Sequence, residues 1–143
     1  MTNYIIHVHG ELIIKTSGQG LYEITDNINS WLVKKLILSG QLTIFIKHTS
    51  ASLCIQENAS GDVKQDIKNF FTKLVPENTS LYNHIDEVKD DMPAHIKSIL
   101  TQTSLIIPIE NHQMDLGTWQ GVFLFEHRIV SMKRILKLNL IGN

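Results

Sequence analysis

In residues 41–48, QLTIFIKH, aliphatic side chains recur at every second position, and this period of two constrains the fold more than any other feature of the chain. Such a period is typical of a β-strand, in which successive side chains point to opposite faces. Leu42, Ile44 and Ile46 then share the buried face, and His48 shares it with them. The stretch therefore predicts a core-facing strand that ends in an imidazole, and that histidine needs an explanation of its own.

Further strand-like stretches lie near both ends of the chain, and few helices separate them. Because the strands and helices do not alternate strictly, the pattern favours the α+β class over a doubly wound parallel sheet. We predict a single domain, residues 1–143, with a mostly antiparallel β-sandwich or barrel-like sheet and a few flanking helices. The other predicted strands are YIIHVHGEL, SLCIQE, SLIIPI, LGTWQGVFLFEH and MKRILKLNLI.

Three helices are predicted between the strands. The first can be capped by Thr25 or Asp26 and ends near Gly40. The second, SGDVKQDIKNFFTKLVP, carries an apolar stripe that we expect to be buried. The third begins at DDMPAHIKSIL, where Asp91 can cap the helix and Pro93 fits its first turn. The stripe of the second helix comprises Val63, Ile67, Phe70, Phe71 and Leu74.

The charge balance and the single cysteine argue against several classes of protein. Thirteen Lys and Arg residues against fourteen Asp and Glu residues give a formal net charge of −1, so we expect no nucleic-acid partner. We expect no signal peptide in the first ten residues, and no stretch approaches the roughly 20 apolar residues of a membrane span. Cys54 has no intrachain partner for a disulfide, which fits a reducing compartment. These features predict a soluble, cytoplasmic protein.

Charged groups on apolar faces are the first candidates for a functional site. His48 has such a position, and so has Glu57, which shares its face with Leu53 and Ile55. Burying a carboxylate without partners costs several kcal/mol, roughly, so Glu57 needs a cation, a metal ion or a dense set of hydrogen bonds. For a single histidine the alternative is a partly buried side chain that is simply hydrogen-bonded.

The segment DDMPAHIKSIL brings a carboxylate and an imidazole together. Asp91 and His95 are four residues apart, so a helix places them on one face. A carboxylate beside an imidazole fixes the tautomer and leaves the other ring nitrogen free for a metal ion or a proton. The unpaired N–H groups of the first turn also suit an anion such as phosphate. Alternatively, Asp90 and Asp91 merely cap the helix, although capping needs only one of them.

The stretch GTWQGVFLFEHR is apolar on both faces, as a central strand is, yet it ends in Glu126, His127 and Arg128. Either these groups belong to a site, or the strand emerges into solvent, where an arginine usually lies. The chain contains no GxGxxG before a helix, no P-loop, no HExxH and no GxSxG, so no standard motif decides between the two.

Three segments taken together resemble one known family. HTSASLCIQEN, DDMPAHIKSILTQTSLIIPI and LGTWQGVFLFEHR are similar to the YjbQ-like family, also called secondary thiamine-phosphate synthases, over about Gly18 to Arg128. The resemblance implies a compact α+β fold, a homotrimer and a polar cleft near the subunit contacts. It also implies that a pyrimidine methyl pyrophosphate is joined to a thiazole phosphate, with release of pyrophosphate.

Four departures from the family pattern stand out. Gln19 occupies a position where an arginine is expected, Ser60–Gly61 replaces an Asp–Pro pair, and Val88 replaces a glycine. The tail beyond Arg128 is also short. The loss of a cation at position 19 weakens any grip of that loop on phosphate.

The leading hypothesis is an enzyme that acts on a phosphorylated small molecule, in the form of thiamine-phosphate synthesis. Departure of pyrophosphate leaves a stabilised cation, so the protein positions the reactants and neutralises charge. Asp91 would orient His95, Glu57 would hold a ligand or a cation, and the cations would neutralise anionic oxygen. The cofactor would be a divalent metal, either zinc, which suits histidines, or magnesium, which suits pyrophosphate. The predicted catalytic residues are His48, Glu57, Asp91, His95 and Glu126, the substrate-binding residues are Thr49, Ser50, Lys97, Trp119, Gln120 and Arg128, and the metal ligands are His48, His84 and His95.

Two rival hypotheses use the same residues. A non-catalytic trimeric module would bind a metal or a phosphorylated metabolite in the same cleft, and only a measurement of turnover separates it from an enzyme. A structural trimer whose polar cluster joins the subunits would lose stability, but no ligand affinity, in His48→Ala or Glu57→Ala. All three hypotheses place imidazoles and carboxylates from distant stretches in one pocket.

Overall fold

The computed structural model describes residues 4–143. In this range the chain forms eight strands and three α-helices. No helix in this range is long and apolar enough to cross a membrane. The helices are α1 (Thr25–Leu32), α2 (Gly61–Leu74) and α3 (Asp91–Leu100), with a 3₁₀ turn at Thr79–Leu81. The strands are β1 (Ile6–Thr16), β2 (Gly20–Glu23), β3 (Gly40–Ile46), β4 (Ala51–Glu57), β5 (Ser104–Glu110), β6 (Gln113–Met114), β7 (Gln120–Glu126) and β8 (Met132–Gly142).

The strands form two antiparallel sheets. The larger sheet has the order β1-β8-β3-β5-β6, and the smaller has the order β2-β7-β4. Apolar side chains from both sheets and from α1 form one core. The predicted α+β class, with mostly antiparallel sheets and a few flanking helices, is confirmed.

The alternation in β3 has the predicted consequence. Leu42, Ile44 and Ile46 are at most 1% exposed. They lie opposite Leu140, Leu138 and Leu136 of β8, in that order, so the two strands contribute alternating residues to one buried face. Burial of each side chain of this size contributes about 1.5–3 kcal/mol.

Helix α1 is shorter than predicted and is capped differently. It ends at Leu32, and Gly40 begins β3 instead of ending a helix. Neither Thr25 nor Asp26 is the N-cap, because the hydroxyl of Thr25 accepts the backbone N–H of Val122 in β7. A Cβ on Gly40 would lie 2.2 Å from the carbonyl oxygen of Ile141, so this glycine permits the close approach of β3 and β8.

The prediction that the apolar stripe on α2 is buried is wrong for a single copy of the chain. No residue of α2 is buried, and Phe70 and Leu74 are 60% and 54% exposed. The helix packs on the outside of the smaller sheet, where the ring of Phe71 meets the ring of Phe125 edge-on at 5.3 Å between centroids. A helix that covers only a three-stranded sheet has neighbours on one side, so the rest of its stripe faces outward.

Candidate functional site

A cavity of about 620 Å³ opens where α3 passes the link between β3 and β4. Its volume is in the range of small-molecule sites. Three of its lining residues are histidines, one from the β3–β4 link, one from the loop before α3 and one from α3 itself. The cavity is lined by His48, Thr49, His84, Met92, His95, Ser98, Ile99 and Thr103.

Asp91 joins two of these histidines into a cluster. Its Oδ2 lies 2.9 Å from Nε2 of His84 and 3.3 Å from Nε2 of His95. Asp91 and His95 face each other because they are four residues apart in α3, as their spacing predicts. One ligand atom from each of the three residues lies within 4.8 Å of the others, so the cluster has the dimensions of a metal site.

The orientation of the His95 ring is set by a backbone carbonyl. Its Nδ1 lies 2.9 Å from the carbonyl oxygen of Thr49, which can only accept a hydrogen bond, so Nδ1 carries a proton. In the neutral ring Nε2 then has a lone pair, and this lone pair faces the carboxylate of Asp91. A cation, either a proton or a metal ion, must lie between these two acceptors.

Arg128 holds both carboxylates at the start of α3. Its Nη1 donates to Oδ1 of Asp91 at 2.8 Å, and its Nε donates to Oδ2 of Asp90 at 3.0 Å. The N–H of Ile129 also donates to Oδ2 of Asp90 at 2.8 Å. Burial by itself would raise the pKa of Asp90, but these donors outweigh burial and hold that pKa below its ordinary value. The guanidinium predicted to bind substrate is thus engaged with Asp90 and Asp91.

His48 lines the cavity but is not a member of the cluster, which corrects the predicted ligand set of His48, His84 and His95. Its Nε2 accepts the backbone N–H of Ile135 at 2.8 Å, so Nδ1 carries the proton of the neutral ring and has no lone pair for a metal ion. Burial, together with the charge of Arg134, lowers the pKa of His48 and favours this neutral form. Asp91, rather than His48, completes the set of three.

Glu126 and Ser50 lie in a buried ion-pair network instead of on the cavity wall. Glu126 is 0% exposed, and its two oxygens accept from Arg134 at 2.5 and 2.7 Å. Thr16 also donates to Glu126 at 2.7 Å, and Arg134 donates to the hydroxyl of Ser50 at 3.0 Å. The sequence analysis missed Arg134, although its position two residues before Leu136 on β8 places it on the buried face.

His127 is buried beside a serine and is neutral. Its Nε2 lies 2.9 Å from Oγ of Ser52, which itself accepts from the hydroxyl of Thr101 at 2.6 Å. Nδ1 of His127 has no hydrogen-bond partner among residues 4–143. Burial lowers the pKa of His127 to about 3, and the charges of Lys97 and Arg134 act in the same direction.

Lys97, which we predicted to bind an anionic substrate, is a residue of the interior. It is 3% exposed and does not line the cavity. Burial lowers its pKa, although the carboxylates of Glu77 and Asp90 oppose that effect. Its side chain leaves the helix on a different face from that of His95, because residues two apart in a helix do not share a face.

Glu57, Trp119 and Gln120 lie at the other end of β4. The strand runs from Ala51, next to the link that carries His48, to Glu57, a distance of about 20 Å at the usual rise per residue. Glu57 and Trp119 line a second cavity, and Gln120 accepts the N–H of Gly117 within the turn before β7. The residues expected to share a single pocket therefore lie in two places. Glu57 ends β4 and pairs with Gln120, whereas the histidines lie near the start of β4.

Known proteins are similar to this chain over most of its length. The family model for UPF0047 protein YjbQ-like matches residues 10–143. A UPF0047 protein of Synechocystis is 51% identical over 117 residues, which cover 82% of this chain and 80% of that protein. The UPF0047 protein YjbQ of Escherichia coli O157:H7 is 40% identical over 119 residues, which cover 82% and 86%.

Solved structures have the same fold. A crystal structure of an uncharacterised YjbQ/UPF0047 protein from Clostridium acetobutylicum matches with a TM-score of 0.79 at 30% identity, covering 91% of this chain and 98% of that chain. A YbjQ-like protein of unknown function from Sulfolobus solfataricus matches with a TM-score of 0.88 at 21% identity, covering 98% and 100%. At that identity the second likeness concerns the fold alone.

The predicted function is wrong. These relatives are named only as UPF0047 or YjbQ-like proteins, one of them of unknown function, and nothing in them indicates thiamine-phosphate synthesis. The joining of a pyrimidine pyrophosphate to a thiazole phosphate, which the resemblance implied, is therefore not supported.

Proposed function

The chain belongs to the YjbQ-like UPF0047 family, and we propose that in this member His84, Asp91 and His95 bind a divalent transition-metal ion. The observation that carries the proposal is the convergence of Nε2 of His84 and Nε2 of His95 on Oδ2 of Asp91, at 2.9 and 3.3 Å. In the neutral ring of His95 the lone pair of Nε2 faces this oxygen. A metal ion between the two acceptors would turn this repulsion into coordination.

The spacing of the donor atoms supports a four-coordinate ion. Zinc–nitrogen bonds of about 2.0–2.1 Å in tetrahedral geometry place neighbouring donors about 3.3 Å apart. The separations from Oδ2 of Asp91 to the two imidazole nitrogens are 2.9 and 3.3 Å. Little movement of these side chains would therefore be needed on binding. Two imidazoles and one carboxylate suit zinc better than magnesium, which prefers oxygen ligands.

The contacts around the cluster also resemble those of metal sites. The second nitrogen of His95 donates to a backbone carbonyl, and the second oxygen of Asp91 accepts from Arg128. Such outer contacts orient metal ligands and keep the histidine in the tautomer that coordinates. The predicted pairing of Asp91 with His95 thus supports a site in which both are ligands.

Three protein ligands would leave one coordination position open, which is typical of catalytic zinc sites. A metal ion in such a position lowers the pKa of a bound water and makes it a nucleophile. The adjacent cavity offers the protonated Nδ1 of His48 as a donor and the apolar side chains of Met92 and Ile99 as walls. The function that this geometry supports best is metal-assisted hydrolysis of a small molecule held in the cavity.

Zinc titration of the metal-free chain tests the proposal. We expect calorimetry to give one zinc ion per chain, with an affinity at least 100-fold lower, roughly, in His84→Ala and in His95→Ala, because each loses one of three ligands. His84 is exposed, and within residues 4–143 its only hydrogen bond is to Asp91, so its removal should not disturb the fold. His9→Ala, which removes an exposed histidine of β1, is the matched control and should bind as the parent chain does. Equal affinities in the parent and both site variants would overturn the proposal.

We also propose that the chain forms a homotrimer. The outer face of the larger sheet exposes apolar side chains on three of its five strands, which supports a contact between copies of the chain. These include Ile13 of β1 (59% exposed), Phe45 of β3 (46%) and Ile106 of β5 (65%). A phosphorylated small molecule as ligand and a cytoplasmic location stay predictions from the sequence.

A further inference from the structure

A second cavity, of about 550 Å³, lies at the end of β4 that is remote from the histidines. It is formed where β4 ends, where α2 begins and where the turn before β7 presents an indole ring. None of its lining residues belongs to the cluster of His84, Asp91 and His95, so its ligand chemistry can be considered independently. The cavity is lined by Gln56, Glu57, Ala59, Val63 and Trp119.

The carboxylate of Glu57 has no compensating charge within the described chain. Its Oε2 is buried and accepts no hydrogen bond, and no described Lys, Arg or His forms a salt bridge with it. Glu126, which ends β7 in the same sheet, has Arg134 and Thr16 as partners. Glu57 as a whole is half-buried, and a carboxylate with one occluded oxygen and no donor favours a cation or a donor from outside the chain.

Trp119 offers the second recognition element. It is 64% exposed, which is unusual for so large an apolar ring, and it borders the same cavity as Glu57. Its backbone is held in place because its carbonyl oxygen accepts the N–H of Asn58 at 3.1 Å. The face of an indole ring attracts cations more strongly than that of any other side chain.

A hydrogen-bond network centred on Glu23 lies beside Glu57 and Trp119. Oε2 of Glu23 accepts from Nδ2 of Asn58 and from the hydroxyl of Thr25, each at 2.9 Å. A Cβ on Gly121 would lie 2.6 Å from that same Oε2, so the glycine lets the strand approach the network. Glu57 pairs with Gln120, the residue after Trp119, and Asn58 donates to the carbonyl of Trp119, so strand pairing brings the backbones of Glu57 and Trp119 together.

We propose that this cavity binds a primary ammonium group, R–NH₃⁺, between the carboxylate of Glu57 and the indole of Trp119. A primary ammonium carries three N–H donors, which can serve the carboxylate while the charge interacts with the ring. A quaternary ammonium has the charge but no N–H, and an alcohol has a donor but no charge. The ligand class is therefore a small organic amine in its protonated form.

Titration of the metal-free, full-length chain with n-butylammonium, followed by NMR, tests this assignment. We expect chemical-shift changes at Gln56, Glu57 and the indole N–H of Trp119, with binding at least tenfold tighter than that of n-butanol or tetramethylammonium. Glu57→Gln should weaken binding at least tenfold, because it removes the charge and keeps the shape. Glu110→Gln, an exposed glutamate at the end of β5, is the matched control and should leave affinity unchanged.

A variant of Trp119 tests the indole side of the proposed site. Trp119→Leu should weaken butylammonium binding severalfold and leave the folded spectrum intact, because the ring is largely exposed. The comparison of butylammonium with butanol needs no variant and does not depend on how Glu57→Gln folds. Equal binding of these two ligands, no binding by the parent chain, or unchanged affinity in a folded Glu57→Gln chain would each overturn the proposal.

Discussion

At the scale of single residues, the contacts of each histidine decide its chemistry. His48 accepts a backbone N–H, whereas His95 donates to a backbone carbonyl, so the two rings present opposite nitrogens to the cavity. His127 is hydrogen-bonded to Ser52 in the interior and stays neutral. One side chain, with one ordinary pKa, therefore has three roles in this chain, and each role follows from a partner that is remote in the sequence.

His127 should make the chain less stable in acid. Its pKa is about 3 in the folded chain against the ordinary value of 6.5, so between these values the unfolded chain binds more protons. Its contribution to stability is complete above about pH 6.5 and is lost progressively as the pH falls toward 3. At pH 5 this loss is about 2 kcal/mol, from about 1.4 kcal/mol per pH unit. Urea denaturation at pH 7 and pH 5 measures it.

The control for this prediction is His127→Gln, which keeps an acceptor for Ser52 but does not titrate. The fall in the free energy of unfolding between pH 7 and pH 5 should be smaller in this variant by about 2 kcal/mol. Every other titratable group is the same in both chains, so the remaining contributions cancel. An equal fall in both chains would show that His127 is protonated as easily when folded as when unfolded.

At the scale of elements, the start of α3 is held by hydrogen bonds from Arg128 to Asp90 and Asp91, and not by a capping hydrogen bond within the helix. Asp90 occupies the N-cap position but makes no capping hydrogen bond. Its carboxylate instead accepts from Arg128 and from the N–H of Ile129, which follow β7. Asp91 and His95 are therefore positioned by a contact between a helix terminus and a strand end, not by the helix alone.

Asp90→Ala should lower the free energy of unfolding by roughly 3 kcal/mol, because it leaves a partly buried guanidinium with one carboxylate instead of two. Urea denaturation at pH 7 measures the change. Asp86→Ala removes an exposed carboxylate from the loop before α3 and should change stability by less than about 0.5 kcal/mol. Similar effects of the two substitutions would mean that Asp90 does not anchor α3.

At the scale of the whole molecule, large apolar side chains are exposed on two separate faces. Phe45 and Ile106 lie on the outer face of the larger sheet, and Phe70 and Leu74 lie on the outer side of α2. Exposed apolar residues that share one sheet face are typical of a surface that contacts another chain. The homotrimer, whose number of subunits comes from the family resemblance, would use the sheet face.

Replacement of Phe45 and Ile106 together by lysine should dissociate such a trimer, because six charges would have to be buried at the contacts. Light scattering after gel filtration should then give one third of the parent mass, close to the 16.3 kDa of a single chain. Val33→Lys, an exposed apolar residue just after α1, should leave the mass unchanged. A parent chain of 16.3 kDa would contradict the trimer itself.

The sequence by itself determined the α+β class, the buried face of β3, the pairing of Asp91 with His95 and the family. Each depends on a local period, two residues in a strand or about four in a helix, or on the order of long segments. Only the tertiary structure decided that Glu57 and Trp119 lie away from the histidines, that Glu126 pairs with Arg134, and that part of the stripe of α2 faces outward. The physical reason is that a period assigns a residue to a face of its own element, whereas the pairing and packing of elements from distant parts of the chain determine what that face meets.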